Sequence, residues 1–201
     1  MPGMRPQCCR RSLPLALLAS AFMCLVAPAG ALDRGQLPPE IGLSDRAGKV
    51  LRVQSLRGSV VVVDFFASWC GPCRQELPVW QHLYEKYKAM GLVVVGINLD
   101  EDAGAMTSFL ATNPVTFPVV RDTKLVVVKR YAPPRMPTSY LFGRDGKLDY
   151  VHLGFRASDG NELEQRIKAL LAAADPGKAE SPAAAPSLPA TPPATTAKTP
   201  S

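Results

Sequence analysis

Two thiols, Cys70 and Cys73, stand three residues apart in the segment Trp69-Cys70-Gly71-Pro72-Cys73. At the start of a helix this spacing lets the two sulfurs close a small disulfide ring over one turn. Cys70 then lies beside unpaired backbone N–H groups and the positive end of the helix dipole. Such surroundings favour the thiolate, which is the nucleophile in thiol–disulfide exchange. Cys73, one turn further in, is placed to act as the resolving thiol. Gly71 lets a partner chain come close, and Pro72 fixes φ and stiffens the turn. The chemistry that follows is reversible two-electron exchange between a dithiol and a disulfide.

Other uses of a Cys-x-x-Cys make demands that this chain meets poorly. A zinc site needs two more ligands, and the histidines on offer, His82 and His152, are not spaced as a pair. No metal is therefore expected. Stapling of an exported fold draws on several widely spaced cysteines. Here the remaining three, Cys8, Cys9 and Cys24, all lie near the start of the chain. That region has the order of a secretory signal over residues 1–31. Arg5, Arg10 and Arg11 come first, then an apolar run from Leu13 to Val26, then Ala29-Gly30-Ala31. The run of about 14 residues is shorter than the about 20 that span a bilayer, so cleavage after Ala31 is expected. An uncleaved signal would instead leave a membrane anchor. The exported chain keeps only the Cys70–Cys73 pair, and the expected location is the periplasm.

The elements around the motif must deliver these thiols to a helix start. Val60 to Phe66 (VVVVDFF) reads as a central strand buried on both faces. A helix follows from Cys73 to about Ala89, stopped at Met90-Gly91. Val50 to Val53, Leu92 to Leu99, Phe117 to Val120, Ser139 to Phe142 and Leu148 to Leu153 read as further strands, the last two joined by a turn at Arg144-Asp145-Gly146. Ala105 to Ala111 reads as a short helix. Leu125 to Tyr131 suits a strand by composition and a helical turn by its place in the order. A final helix runs from Ser158 or Asp159 to about Ala174, with Glu162 expected to complete a capping box from Asp159. The alternation predicts an α/β domain over residues 37–174, with a mixed sheet covered by helices on both faces.

Residues 176–201 contain no aromatic residue and many prolines, a composition that favours a disordered tail. The chain carries 23 basic and 17 acidic residues. Without the three arginines of residues 1–31 the balance is 20 against 17, about +3. No basic cluster is interleaved with aromatics, so nucleic-acid binding has no support.

The segment VVVDFFASWCGPC resembles the active-site strand and loop of thioredoxins. Its continuation Cys73-Arg74-Gln75-Glu76-Leu77-Pro78 is similar to the membrane-facing TlpA/ResA branch of that family. So are the export signal, the segment from Arg46 to Gly58, the stretch between Asp100 and Asp122, and Leu141-Phe142-Gly143-Arg144-Asp145-Gly146. The resemblance, over about residues 37–172, implies a thioredoxin fold with an N-terminal strand extension and a central αβ insertion. It implies that Asp64 is the buried acid taking the proton from Cys73, that Pro78 bends the active-site helix, and that Met136-Pro137-Thr138 is the cis-proline loop facing the dithiol. Trp69, Gly71, Pro72, Met136 and Pro137 are then the substrate-facing residues. Glu76 reads either as an influence on the thiol or as a solvated helix residue, and Trp80, His82 and Tyr84 as packing and surface.

Two features depart from the family pattern. Gly96 replaces the lysine that thioredoxin carries near the buried acid, and Gly71-Pro72 is thioredoxin's own pair rather than that of many membrane-facing members. The resemblance implies an exported protein disulfide reductase needing no cofactor and kept reduced by a thiol donor in the membrane. Its clients would be cytochrome c precursors or copper-site proteins. A copper chaperone on this fold would want Cys-x-x-x-Cys with a placed histidine. A thiol peroxidase would want a threonine before its cysteine, where Ala67-Ser68-Trp69 stands. A non-catalytic binding module would show no thiol-dependent turnover.

Overall fold

The structure, a computed structural model, describes residues 32–173. The expected signal and tail lie outside the described residues. Five strands form one sheet in the order β5-β4-β3-β6-β7. These are β3 (Val60–Phe66), β4 (Leu92–Asn98), β5 (Val119–Arg121), β6 (Thr138–Phe142) and β7 (Leu148–Leu153). β3, β4 and β5 run parallel, while β6 is antiparallel to β3 and β7 to β6. The mixed sheet expected from the alternation is present.

Four helices flank it: α1 (Cys73–Tyr87), α2 (Ala103–Thr112), α3 (Val126–Tyr131) and α4 (Asp159–Ala172). Side chains alternate across a strand, so β3 feeds two cores. Val60, Val62 and Phe66 pack with Leu77, Trp80 and Leu83 of α1, Phe109 of α2 and Leu163 and Ile167 of α4. Val61, Val63 and Phe65 pack on the other face with Val127 and Tyr131 of α3 and with Ile41 and Leu51. Every residue of β3 is buried, as its unbroken apolar run requires. Asp64, the one polar residue in it, points by alternation towards α1 and α4.

Several boundaries differ from expectation for identifiable reasons. The strand read at Val50 to Val53 is only Val50–Leu51 (β2), paired with Leu43–Ser44 (β1) in a separate ribbon, and Val53–Leu56 turns into 3₁₀ helix. β5 begins at Val119 rather than Phe117, because Pro118 has no N–H for the ladder. Its carbonyl accepts from Gly96 N at 2.9 Å instead. In the segment read as Leu125 to Tyr131, Val126–Tyr131 is helical despite its three valines. Asp122 accepts from Val126 N at 2.9 Å and from Val128 N at 2.8 Å, supplying the first turn with the partners it lacks. The capping box of α4 does not form. Asp159 Oδ2 accepts from Arg156 N at 2.9 Å, while Glu162 is engaged by Arg166 and Tyr150.

Candidate active site

β3 ends at Phe66 and the chain turns over Ala67, Ser68 and Trp69 into the dithiol. Cys70 N donates to Ala67 O at 3.1 Å. Asp100, at the end of β4, accepts from Ser68 N at 3.1 Å and from Ser68 Oγ at 2.8 Å, and is itself held by Asn98 Nδ2 at 2.8 Å. This clamp fixes the approach to Cys70, and the motif reading did not find it.

Cys70 and Cys73 are joined as a disulfide, with Cα atoms 5.3 Å apart. Cys73 opens α1 and is fully buried, while Cys70 is 5 % exposed. The N–H of Cys73 donates to Cys70 Sγ at 3.3 Å, one of the helix-start donors that stabilise charge on this sulfur. Around it Gly71 and Pro72 are exposed, and the Trp69 ring is 67 % exposed. A large aromatic surface beside a reactive sulfur is available to a partner rather than spent on the core.

The Met136–Pro137 peptide is cis. Thr138, which follows, pairs with Phe65 near the end of β3, so the loop stands beside the turn that carries the dithiol. Among the described residues no backbone hydrogen bond closes on Met136. The five expected substrate-facing residues therefore come from two loops that the β3–β6 pairing brings together.

One turn of α1 on from Cys73, Glu76 forms a buried carboxyl pair with Asp64 of β3. Asp64 and Glu76 are each 0 % exposed, and Ser139 Oγ stands 2.9 Å from both Asp64 Oδ1 and Glu76 Oε1. One hydroxyl has one proton to donate, so both contacts are hydrogen bonds only when one carboxyl is itself protonated. Burial pushes Asp64 up to about 7, against the smaller opposing effect of its hydrogen bonds. Glu76 is raised well above the ordinary carboxyl range, first by burial and then by the charge of Asp64. Trp80 Nε1 faces Glu76 without closing an ordinary hydrogen bond. Asp64 pairs in register with Gly96, so no lysine is present there to hold its charge.

Glu76 is thus not a solvated helix residue. Its place follows from the inward stripe of α1, in which Cys73, Glu76, Leu77, Trp80, Leu83 and Tyr87 recur at three- and four-residue intervals. That periodicity was available in the sequence and pointed Glu76 inward. Trp80 is packing as expected, and His82 is exposed.

The fold and the dithiol at its helix start define a thiol–disulfide oxidoreductase of the thioredoxin type. The chain belongs to the redoxin family, whose model matches residues 33–167. Thiol-disulfide oxidoreductase ResA of Bacillus subtilis is 31% identical over 139 residues, covering 69% of this chain and 78% of that protein. A crystal structure from Chlorobium tepidum, described as a DsbE-type thiol:disulfide interchange protein, is 44% identical. It covers 70% of this chain and 99% of that one, with a TM-score of 0.67. A secreted disulfide oxidoreductase of Mycobacterium tuberculosis, homologous to E. coli DsbE, is 28% identical over 64% of this chain and 94% of its own, with a TM-score of 0.57.

Proposed function

We propose that the protein is exported and reduces disulfides of partner proteins, and that a thiol donor in the membrane returns it to the dithiol form. The Cys70 thiolate attacks a client disulfide, whose S–S bond breaks and releases one client thiolate. Cys73 then gives its proton to the ionised member of the Asp64–Glu76 pair and attacks Cys70 Sγ. The mixed disulfide breaks, the second client thiolate leaves, and the Cys70–Cys73 bond forms. Two electrons pass from enzyme to client. Trp69, Gly71, Pro72 and the cis-proline loop hold the client chain, with the Met136 backbone free to pair with an extended strand.

The observation that carries this reading is the buried carboxyl pair whose Glu76 lies one turn of α1 on from the resolving cysteine. Its high proton affinity suits it to take a thiol proton at neutral pH. The signal-like residues 1–31 support export, and the Gly71-Pro72 pair supports the reducing direction. Cytochrome c precursors and copper-site proteins are the clients the family resemblance implies.

Trapping tests the client class. Cys73→Ala expressed in the native host should accumulate mixed disulfides through Cys70, and Cys70→Ala/Cys73→Ala should accumulate none. Direction is tested by equilibrating the purified protein with glutathione. A potential near the about −270 mV of thioredoxin is expected, and one near the about −120 mV of DsbA would sink the reductase reading.

A further inference from the structure

The carboxyl pair must also lose the proton it takes, and it is sealed from solvent. Strand pairing sets a row of residues across the face of the sheet that carries it. Asp64 on β3 is paired with Ser139 on β6, and Ser139 with His152 on β7. Side chains directly opposite in an antiparallel pair have Cβ atoms about 4.5–5.5 Å apart on the same face. His152 is therefore next in line after the hydroxyl that bridges Asp64 and Glu76.

His152 is 6 % exposed, and its Nε2 has no hydrogen-bond partner. The same holds for Asp64 Oδ2, on this row, and for Glu76 Oε2, whose carboxyl reaches the Ser139 hydroxyl from α1. On its outer side Nε2 stands 3.4 Å from Asp159 Oδ2, at the first residue of α4, where the side chain is 20% exposed. The imidazole lies between the rings of Tyr150 and Phe155, at 6.2 and 6.4 Å. Packing alone is served by an apolar side chain, as at Leu141 and Leu163 in the same core. An imidazole set on the row between buried acids and a surface acid, with Nε2 turned to the surface acid, has a further use.

We propose that His152 and Asp159 form the route by which the buried carboxyl pair exchanges its proton with solvent. This rests on the assignment of that pair to the Cys73 proton. The carboxyl O–H breaks and an imidazole N–H forms, directly or through one water. The imidazolium, held by the Asp159 carboxylate, then releases the proton to bulk water, and the pair regains one ionised member. The charged and titratable groups facing His152 are Asp159, Glu162 and Arg166 from α4, Tyr150 from its own strand, and the Asp64–Glu76 pair behind Ser139. Burial lowers the proton affinity of the imidazole, against the opposing pull of Asp159, so that it holds a proton only in passing and gives it up readily.

Stopped-flow exchange with a model disulfide whose thiolates leave unprotonated, following mixed-disulfide decay and proton release to a pH indicator separately, tests the route. His152→Ala should leave the first attack by Cys70 and the decay of the mixed disulfide unchanged and delay proton release by on the order of tenfold at neutral pH, with added imidazole restoring it. His152→Gln fills the space and should show the same slow release without rescue. Asp159→Asn should slow the release in the same direction. If His152→Gln and Asp159→Asn release the proton at the parent rate while Asp64→Asn slows the decay, the carboxyl pair keeps its role and the His152 route is wrong. If Asp64→Asn and Glu76→Gln also decay at the parent rate, the pair itself has been misassigned. Should His152→Ala not fold, the other two variants decide.

Discussion

A single hydroxyl proton organises the chemistry at residue scale. Ser139 sits between two carboxyls buried without a cationic partner among the described residues, and the three groups satisfy one another only while a second proton is present. Stability must then depend on pH with a definite sign. Asp64 titrates near 3.8 in the unfolded chain and near 7 when folded. Between these values the folded state holds a proton that the unfolded state has lost, so this contribution is complete below about pH 4 and is lost as pH rises through about 7. Glu76, also raised, acts in the same sense. Asp64→Asn should therefore flatten the fall in melting temperature over that window. At pH 8 it should exceed the parent in stability, the effect being on the order of a few kcal/mol. Thermal unfolding of both proteins from pH 4 to 8 checks this, and parallel curves would remove Asp64 as the titrating group.

At the scale of elements, the packing of β4 explains the departure at Gly96. A Cβ there would lie 2.9 Å from Phe66 Cε1 and 3.3 Å from both Phe117 Cε2 and Val119 Cγ2. Aromatic rings occupy the space a side chain would need. Gly96→Ala should cost roughly 1–3 kcal/mol through overpacking, read from denaturant unfolding. Gly96→Lys should cost more, and should not restore thioredoxin's lysine–acid pairing, because Phe66 and Phe117 would have to move first. The start of α3 shows local and tertiary effects opposed. Val126, Val127 and Val128 favour a strand by their branching, and the two contacts from Asp122 settle the segment as a helix.

For the molecule as a whole, residues just beyond the expected cleavage site are tied to the sheet. Gly35 N donates to Leu148 O at 2.7 Å, and Leu148 N to Gln36 O at 2.8 Å. A cut after Ala31 leaves these bonds in place. N-terminal sequencing of protein from the native host should read Leu32 first, and a mature chain retaining Cys8, Cys9 and Cys24 would overturn the expected cleavage. Deletion of residues 176–201 should leave both the melting temperature and the dithiol potential unchanged. A drop in either would assign that segment a contact with the domain.

Read alone, the sequence determined the redox pair, the central strand, the helix it feeds and the order of the elements, because these are local: spacing, apolar runs and turn residues carry them. The periodicity of α1 also held the inward position of Glu76, although that position taken singly reads as solvated. Only the tertiary structure decided what Glu76 meets there, since Ser139 and Asp64 reach it from 63 residues ahead and 12 behind through pairings that no local pattern encodes. The Asp100 clamp on Ser68 and the row from Asp64 to His152 have the same origin. Each is fixed by strand register, and register is set by how the whole sheet buries its two faces.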